Sequence, residues 1–288
     1  MLWIERQAPS KPKPVPDQYP LLEKTLGETN SDKLINFDPL RTQINDYFST
    51  NIKVPYSFYL EYLPTGTSIR AESDDGGLVG ASLLKLPITM DLYKADELGR
   101  LNLDDTVTIK QEWLDSNFGD LYKQGAGTKI TLREAARQTL QYSDNTALNT
   151  VYAYASQAIP ASESAINEID APFSVTPTKE VKITAKSYGS ILKCLYYSCY
   201  DTPDDSQAIL NILTHGDSYG RIEAGVPSTV KVAHKIGTFS NQTESDCGII
   251  YIPKRHYVFC MMVNEADPAA SNAIKDVSAL AYQYILNR

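Results

Sequence analysis

Hydrophobic positions change period several times along this chain, and each change marks an element. Leu40, Ile44, Tyr47 and Phe48 recur at helical spacing behind Asp38-Pro39, an N-cap followed by proline at the first helical position, so a helix is expected to about Thr50. Residues Tyr56 to Tyr62 and Thr67 to Ala71 alternate in strand fashion around Pro64-Thr65-Gly66, which predicts a hairpin. From Ser82 onward Leu83, Leu84, Leu86, Ile88, Met90 and Leu92 occupy nearly every side of a helix, the pattern of a buried one. Thr131 to Tyr142, Thr146 to Ser156 and Ile183 to Tyr200 predict further helices, with shorter ones near Ala161 to Ile169 and Asp205 to Leu213. Strand patterns return at Thr229 to Ile236, Ser245 to Ile252 and His256 to Val263, and a last amphipathic helix is expected at about Ala273 to Leu286.

Helix, two strands, many helices, three strands, helix is an α+β order. The simplest packing lays the terminal helices on one antiparallel sheet, made from the first hairpin and the last three strands, beside an all-helical lobe. Residues 1–35 stand apart. Pro9, Pro12, Pro14, Pro16 and Pro20, with Lys11 and Lys13, make Ala8 to Pro20 read as an extended linker or tail. An anchor or signal upstream would explain such a linker, and so would a plain disordered tail. Residues 36–288 are expected to form one domain and a monomer, long enough to bury a sizeable core.

Composition narrows the partners. The net charge is -8 and Lys and Arg are scattered, so there is no electrostatic footprint for nucleic acid or an anionic membrane. An anionic substrate must therefore meet a local lysine. No stretch approaches the roughly 18 to 20 apolar residues of a membrane span. Cys194, Cys199, Cys247 and Cys260 lack C-x-x-C spacing and read as small buried apolar residues, although export would allow Cys247 and Cys260 to pair across a hairpin turning near Pro253-Lys254-Arg255. His215, His234 and His256 are too scattered for a metal site or a Ser-His-Asp triad, and neither metal nor cofactor is expected.

The chemistry lies in three short motifs. Ser82-Leu83-Leu84-Lys85 is one of four S-x-x-K matches; the others start at Ser10, Ser190 and Ser228. Only Ser82 follows a glycine-rich approach, from Gly76 to Gly80, and opens a buried helix. Residues three apart on a helix share a face, so the Lys85 amine can reach the Ser82 hydroxyl. Ser143-Asp144-Asn145 falls at a break between two helices, and Lys235-Ile236-Gly237-Thr238 on a strand, where glycine permits close approach to the backbone. Alone, each is an ordinary cap, turn or strand.

In this order the three resemble the signature set of class A β-lactamases and penicillin-binding proteins. Ser82 and Ser143 are 61 residues apart (143 - 82), similar to the family's spacing, and Thr131-Leu132-Arg133-Glu134 resembles the start of the helix before its S-D-N. The resemblance implies that Ser82 is the nucleophile and forms an acyl-enzyme, with Lys85 as the base once burial and Lys235 lower its pKa. It implies that Ser143, between Lys85 and Lys235, relays a proton to the leaving nitrogen, and that Asn145 holds the substrate amide and orients Lys85. Backbone amides of Ser82 and Thr238 would form the oxyanion hole, and Lys235, Gly237 and Thr238 would receive the substrate and its carboxylate. Phe118 would supply an aromatic wall, with Tyr122 as second choice.

Two departures matter. Ile236 replaces the usual Thr or Ser and is read as core packing, since it points away from its neighbours' face. The interval from Ser143 to Lys235, 92 residues (235 - 143), is short for a class A enzyme, whose loop there carries an E-x-x-L-N glutamate that drives deacylation. Glu163 begins a near match and Glu180 precedes the next helix. Either is a candidate deacylation base, against readings as a short packing helix and a solvent-facing helix entry. The expectation is therefore an extracytoplasmic penicillin-binding D-Ala-D-Ala peptidase that takes β-lactams or stem peptides. A β-lactamase is the close alternative, and a non-catalytic cell-wall-binding module the distant one.

Overall fold

A computed structural model describes residues 21, 35–73, 77–176, 180–217, 219–240 and 242–288. The proline-rich stretch from Ala8 to Pro20 lies outside the described residues. In chain order the elements are α1 (Asp38–Asn51), β1 (Tyr56–Tyr62), β2 (Thr67–Glu72), β3 (Leu78–Val79), a 3₁₀ turn (Ala81–Leu84) and α2 (Lys85–Glu97). There follow β4 (Thr106–Thr108), β5 (Lys129–Thr131), α3 (Leu132–Gln141), α4 (Asn145–Ala158), α5 (Ala165–Glu168), β6 (Phe173–Val175) and β7 (Val181–Ile183). The chain closes with α6 (Ala185–Tyr197), α7 (Pro203–Leu213), β8 (Lys231–Phe239), β9 (Thr243–Tyr251), β10 (Tyr257–Val263) and α8 (Ala269–Leu286).

The main sheet is antiparallel throughout, in the order β2-β1-β10-β9-β8. Alternate side chains leave a strand on opposite faces, and the sheet accordingly separates two cores. Phe58, Leu60, Tyr257, Phe259 and Met261 pack with Leu40, Ile44 and Phe48 of α1 and Ile274, Val277 and Ile285 of α8. Tyr59, Val258, Cys260 and Met262 face the helical lobe, where Leu86, Met90 and Leu92 of α2 meet α3, α4 and α6. The architecture is α+β, with the terminal helices on one face and the helical lobe on the other.

Helix starts follow local chemistry. Thr131 Oγ1 accepts from Glu134 N (3.1 Å) and Thr202 Oγ1 from Asp205 N (3.2 Å), each side chain satisfying an amide that the helix leaves unpaired. Three details differ from the sequence pattern. Thr184 caps α6 by accepting from Ser187 N (3.0 Å), so Val181–Ile183 is freed to pair as β7 with β3 and β6. Helix α8 begins at Ala269, earlier than its apolar stripe suggests. The four cysteines are joined as Cys194–Cys199 and Cys247–Cys260, not left as free apolar residues. The second pair faces across the ladder between β9 and β10, the pairing that the hairpin allowed, while the first, which closes the end of α6, was not among the expectations.

Candidate active site

The turn that carries Ser82 packs against strands β7 and β8. Gly80 N donates to Val181 O of β7 (2.9 Å), Leu83 N returns to Gly80 O (2.9 Å), and Ala81 sits at φ 45° in the left-handed region. Ser82 therefore lies in a half-buried 3₁₀ turn, and α2 proper starts at Lys85. Opposite it, a Cβ on Gly237 would meet Gly80 O at 2.9 Å and Leu83 Cγ at 3.1 Å. The glycine of the third motif is thus required because the turn that carries Ser82 packs on β8. That contact also brings together the two segments that carry the Ser82 and Thr238 amides.

Ser143 occupies the gap between α3 and α4 at φ 55°. Asp144 holds that bend: its carboxylate accepts from Ala147 N (2.8 Å) at the start of α4 and from Leu121 N (2.8 Å) across the cleft. Asn145 N donates to Phe118 O (3.0 Å), and Gly119, at φ 87°, lies so close to Asp144 that a Cβ there would clash at 2.1 Å. The segment before α3 is in this way tied to the motif, and the Phe118 ring comes to rest 6.0 Å from Lys85 Nζ.

Two buried lysines converge on Ser143 Oγ. Lys85 Nζ donates to it at 3.2 Å and Lys235 Nζ at 3.0 Å. Lys85 also donates to Asn145 Oδ1 (2.7 Å) and to the Ser143 carbonyl. An ammonium has three donors, and among the described residues none of these goes to Ser82. Burial pushes Lys85 down to about 8, with Asp144 and Asp115 opposing. Lys235 lies well below the usual lysine value, driven first by burial and then by the Lys85 and Arg221 charges. Losing a proton at Lys85 would remove one donor and leave a lone pair beside the turn that carries Ser82.

Lys235 shares the lobe-facing side of β8 with Ala233, while Ile236 is buried on the other side, which is why the motif tolerates an aliphatic residue there. Thr238 Oγ1 donates to Glu244 (2.6 Å) and accepts from Arg221 Nη2 (3.1 Å). Arg221 is the residue that the motifs do not reveal. Fully buried, it donates to Gly237 O (3.2 Å), Ser245 O (2.8 Å) and Ser271 Oγ (3.1 Å) and pairs with Glu244. It leaves an irregular segment before β8, and no local signal marks it. His234 is likewise buried behind the site: its Nδ1 lies 2.7 Å from Asp246 Oδ1 and its Nε2 3.4 Å from Glu223. Burial opposes its charge, but Asp246 and Glu223 outweigh that and push it up to about 9.

The two candidate glutamates part company. Glu163 pairs with Arg100 (2.7 Å), which follows the C-terminal end of α2. Two residues on, Ala165 N donates to Asp91 Oδ1 of α2 (2.7 Å), so this segment lies along the middle and C-terminal half of that helix. The structure pairs Glu163 with Arg100 and not with the lysine cluster, because Ala161–Glu163 and α5 pack along the side of α2. Glu180 immediately precedes Val181, whose carbonyl receives Gly80 N, and its own Oε2 accepts from Thr176 Oγ1 (3.3 Å).

A family model, described as the beta-lactamase enzyme family, matches residues 39–285. The chain belongs to the β-lactamase enzyme family. No curated protein matches it. Among solved structures it is similar to PBP-A, with TM-score 0.79 and 22% identity over 87% of this chain and 97% of that one. A PBP-A variant solved as an acyl-enzyme complex with penicillin G superposes with TM-score 0.77 at 22% identity, over 87% and 97% of the two chains. The β-lactamase of Sphaerobacter thermophilus DSM 20745 gives TM-score 0.77 at 21% identity, over 87% of this chain and 98% of that one. At such identities the likeness establishes the fold, and the family match makes the chain a β-lactamase-fold serine hydrolase.

Proposed function

We propose that this family member is a penicillin-binding, DD-peptidase-like acyl-transfer enzyme in which Ser82 is acylated by β-lactams and by D-Ala-D-Ala peptides. The observation that carries the reading is Ser143 Oγ held between the buried amines of Lys85 and Lys235. Neutral Lys85 accepts the Ser82 proton as Ser82 Oγ attacks the carbonyl carbon, and Ser143 passes a proton to the departing nitrogen. The Ser82 and Thr238 amides receive the oxyanion, and Asn145 orients both Lys85 and the substrate amide. Lys235 and Thr238 meet the substrate carboxylate, which answers how an acidic protein takes an anionic substrate. Phe118 walls the cleft above Lys85. Pairing of all four cysteines supports an extracytoplasmic setting, since such bonds persist under oxidising conditions.

Intact-mass spectrometry with benzylpenicillin tests the proposal. A stable adduct of one drug mass, absent in Ser82→Ala, is the expected result. No adduct with any β-lactam would overturn it in favour of a non-catalytic module. The second reading, a true β-lactamase, is favoured by one observation, Glu180 next to the carbonyl that braces the nucleophile turn. Many turnovers of a chromogenic cephalosporin, abolished in Glu180→Gln, would decide for it.

A further inference from the structure

Beside the Ser143 bend lies a cavity of about 650 Å³ that shares Phe118 with the cleft but is lined by none of Ser82, Lys85, Ser143 and Lys235. Its lining contains aromatic rings, amides and carboxylates, and no lysine or arginine. An anionic ligand finds no counter-charge there. Asp120 is already paired with Lys123 and Asp144 with backbone amides, so Asp217 is the carboxylate left to face a ligand.

Two rings present themselves to solvent. Tyr142, 43% exposed, is held on one face by Arg137, whose guanidinium lies 5.2 Å from the ring centroid and is itself fixed by Glu134 (2.7 Å) and Gln141 (2.6 Å). A ring immobilised from behind offers its free face with little further ordering cost. Tyr219, 50% exposed, lines the same cavity, its ring centroid 6.4 Å from that of Phe118. In the same lining the exposed side-chain amides of Asn117 and Gln124 make no hydrogen bond to any described residue. Flat apolar faces together with unpaired amides match a sugar ring, which offers C–H faces to aromatic groups and hydroxyl or acetamido edges to planar hydrogen-bonding groups.

We propose that this groove is a subsite for a neutral saccharide, an N-acetylated sugar oligomer, placed to hold the glycan portion of a substrate whose peptide reaches Ser82. Its use in catalysis rests on the acyl-transfer reading, while the binding itself does not.

The full chain is titrated with the tetramer of N-acetylglucosamine, followed by calorimetry and by the tyrosine resonances. Saturable binding is expected, weakened about tenfold in Tyr142→Ala and measurably in Gln124→Ala, with penicillin labelling of Ser82 unchanged in both. Absence of saturable binding overturns the proposal. So does binding that both variants retain, or saturation of the groove by a lysine amide that the tetramer cannot displace. Tetramer binding that follows Tyr142, in a protein that penicillin fails to label, would uphold the subsite while removing the acyl-transfer reading.

Discussion

A methyl group at position 237 would lie 2.8 Å from Ser245 Oγ and 2.9 Å from Gly80 O, closer than real contacts allow. Gly237→Ala must therefore push β8 off the turn that carries Ser82, and it is expected to cost about 1–3 kcal/mol of stability. Acylation of Ser82 by penicillin should fall with it, as stopped-flow measurement would show. Protonation states set a second expectation. With Lys85 near 8, the rate of Ser82 acylation should climb as pH rises towards about 8 and then level off. A pH-independent rate from 6 to 9 would remove Lys85 from the base role. His234 acts on stability, in the other direction. Its folded pKa is raised from 6.5 to about 9, so its pairing with Asp246 contributes fully below about 6.5 and is lost as pH rises through about 9. Melting temperature should fall across that window in the parent protein and much less in His234→Gln.

Helix α2 and the strands carry these residues to one place. The buried, all-round apolar face of α2 places Lys85 at its N-terminal end, while Glu163 pairs with Arg100 just past its C-terminal end. Asp144 joins α4 to the loop that bears Phe118 by accepting two backbone amides at 2.8 Å. Asp144→Ala is expected to cost about 2 kcal/mol, at the upper end for a helix cap, because both amides lose their partner. It should also slow acylation through a displaced Ser143. The Cys247–Cys260 bond lies in the ladder position that faces Lys235 across β8 and β9. Replacing both cysteines with alanine is expected to lower stability by about 3 kcal/mol in chemical denaturation, a loop-closure effect.

Across the whole molecule, one sheet with a core on each face joins the terminal helices to the helical lobe. Arg221 belongs to that junction. It links β8, β9 and α8 through Gly237 O, Ser245 O and Ser271 Oγ while pairing with Glu244. Arg221→Met leaves Glu244 buried without its partner and is expected to cost about 3–5 kcal/mol. Thermal unfolding followed by far- and near-ultraviolet circular dichroism would measure the loss. Because both cores share the sheet, the two signals should move together.

Repeating apolar spacing and three short motifs were enough to read the α+β order, the sheet and the residues Ser82, Lys85, Ser143, Asn145 and Lys235 as one set. Those features are local: a helix face, a cap, a bend and a strand are written in consecutive residues. The approach of Gly237 to Gly80, the reach of Arg221 to Ser271 and the pairing of β7 with β3 depend on segments distant in sequence, and no short window along the chain contains both partners. The two glutamates show the difference most clearly. Motif spacing and helix position offered Glu163 and Glu180 as candidates, and only the packing of α5 along α2, with β7 against the turn that carries Ser82, paired one with Arg100 and set the other beside that turn.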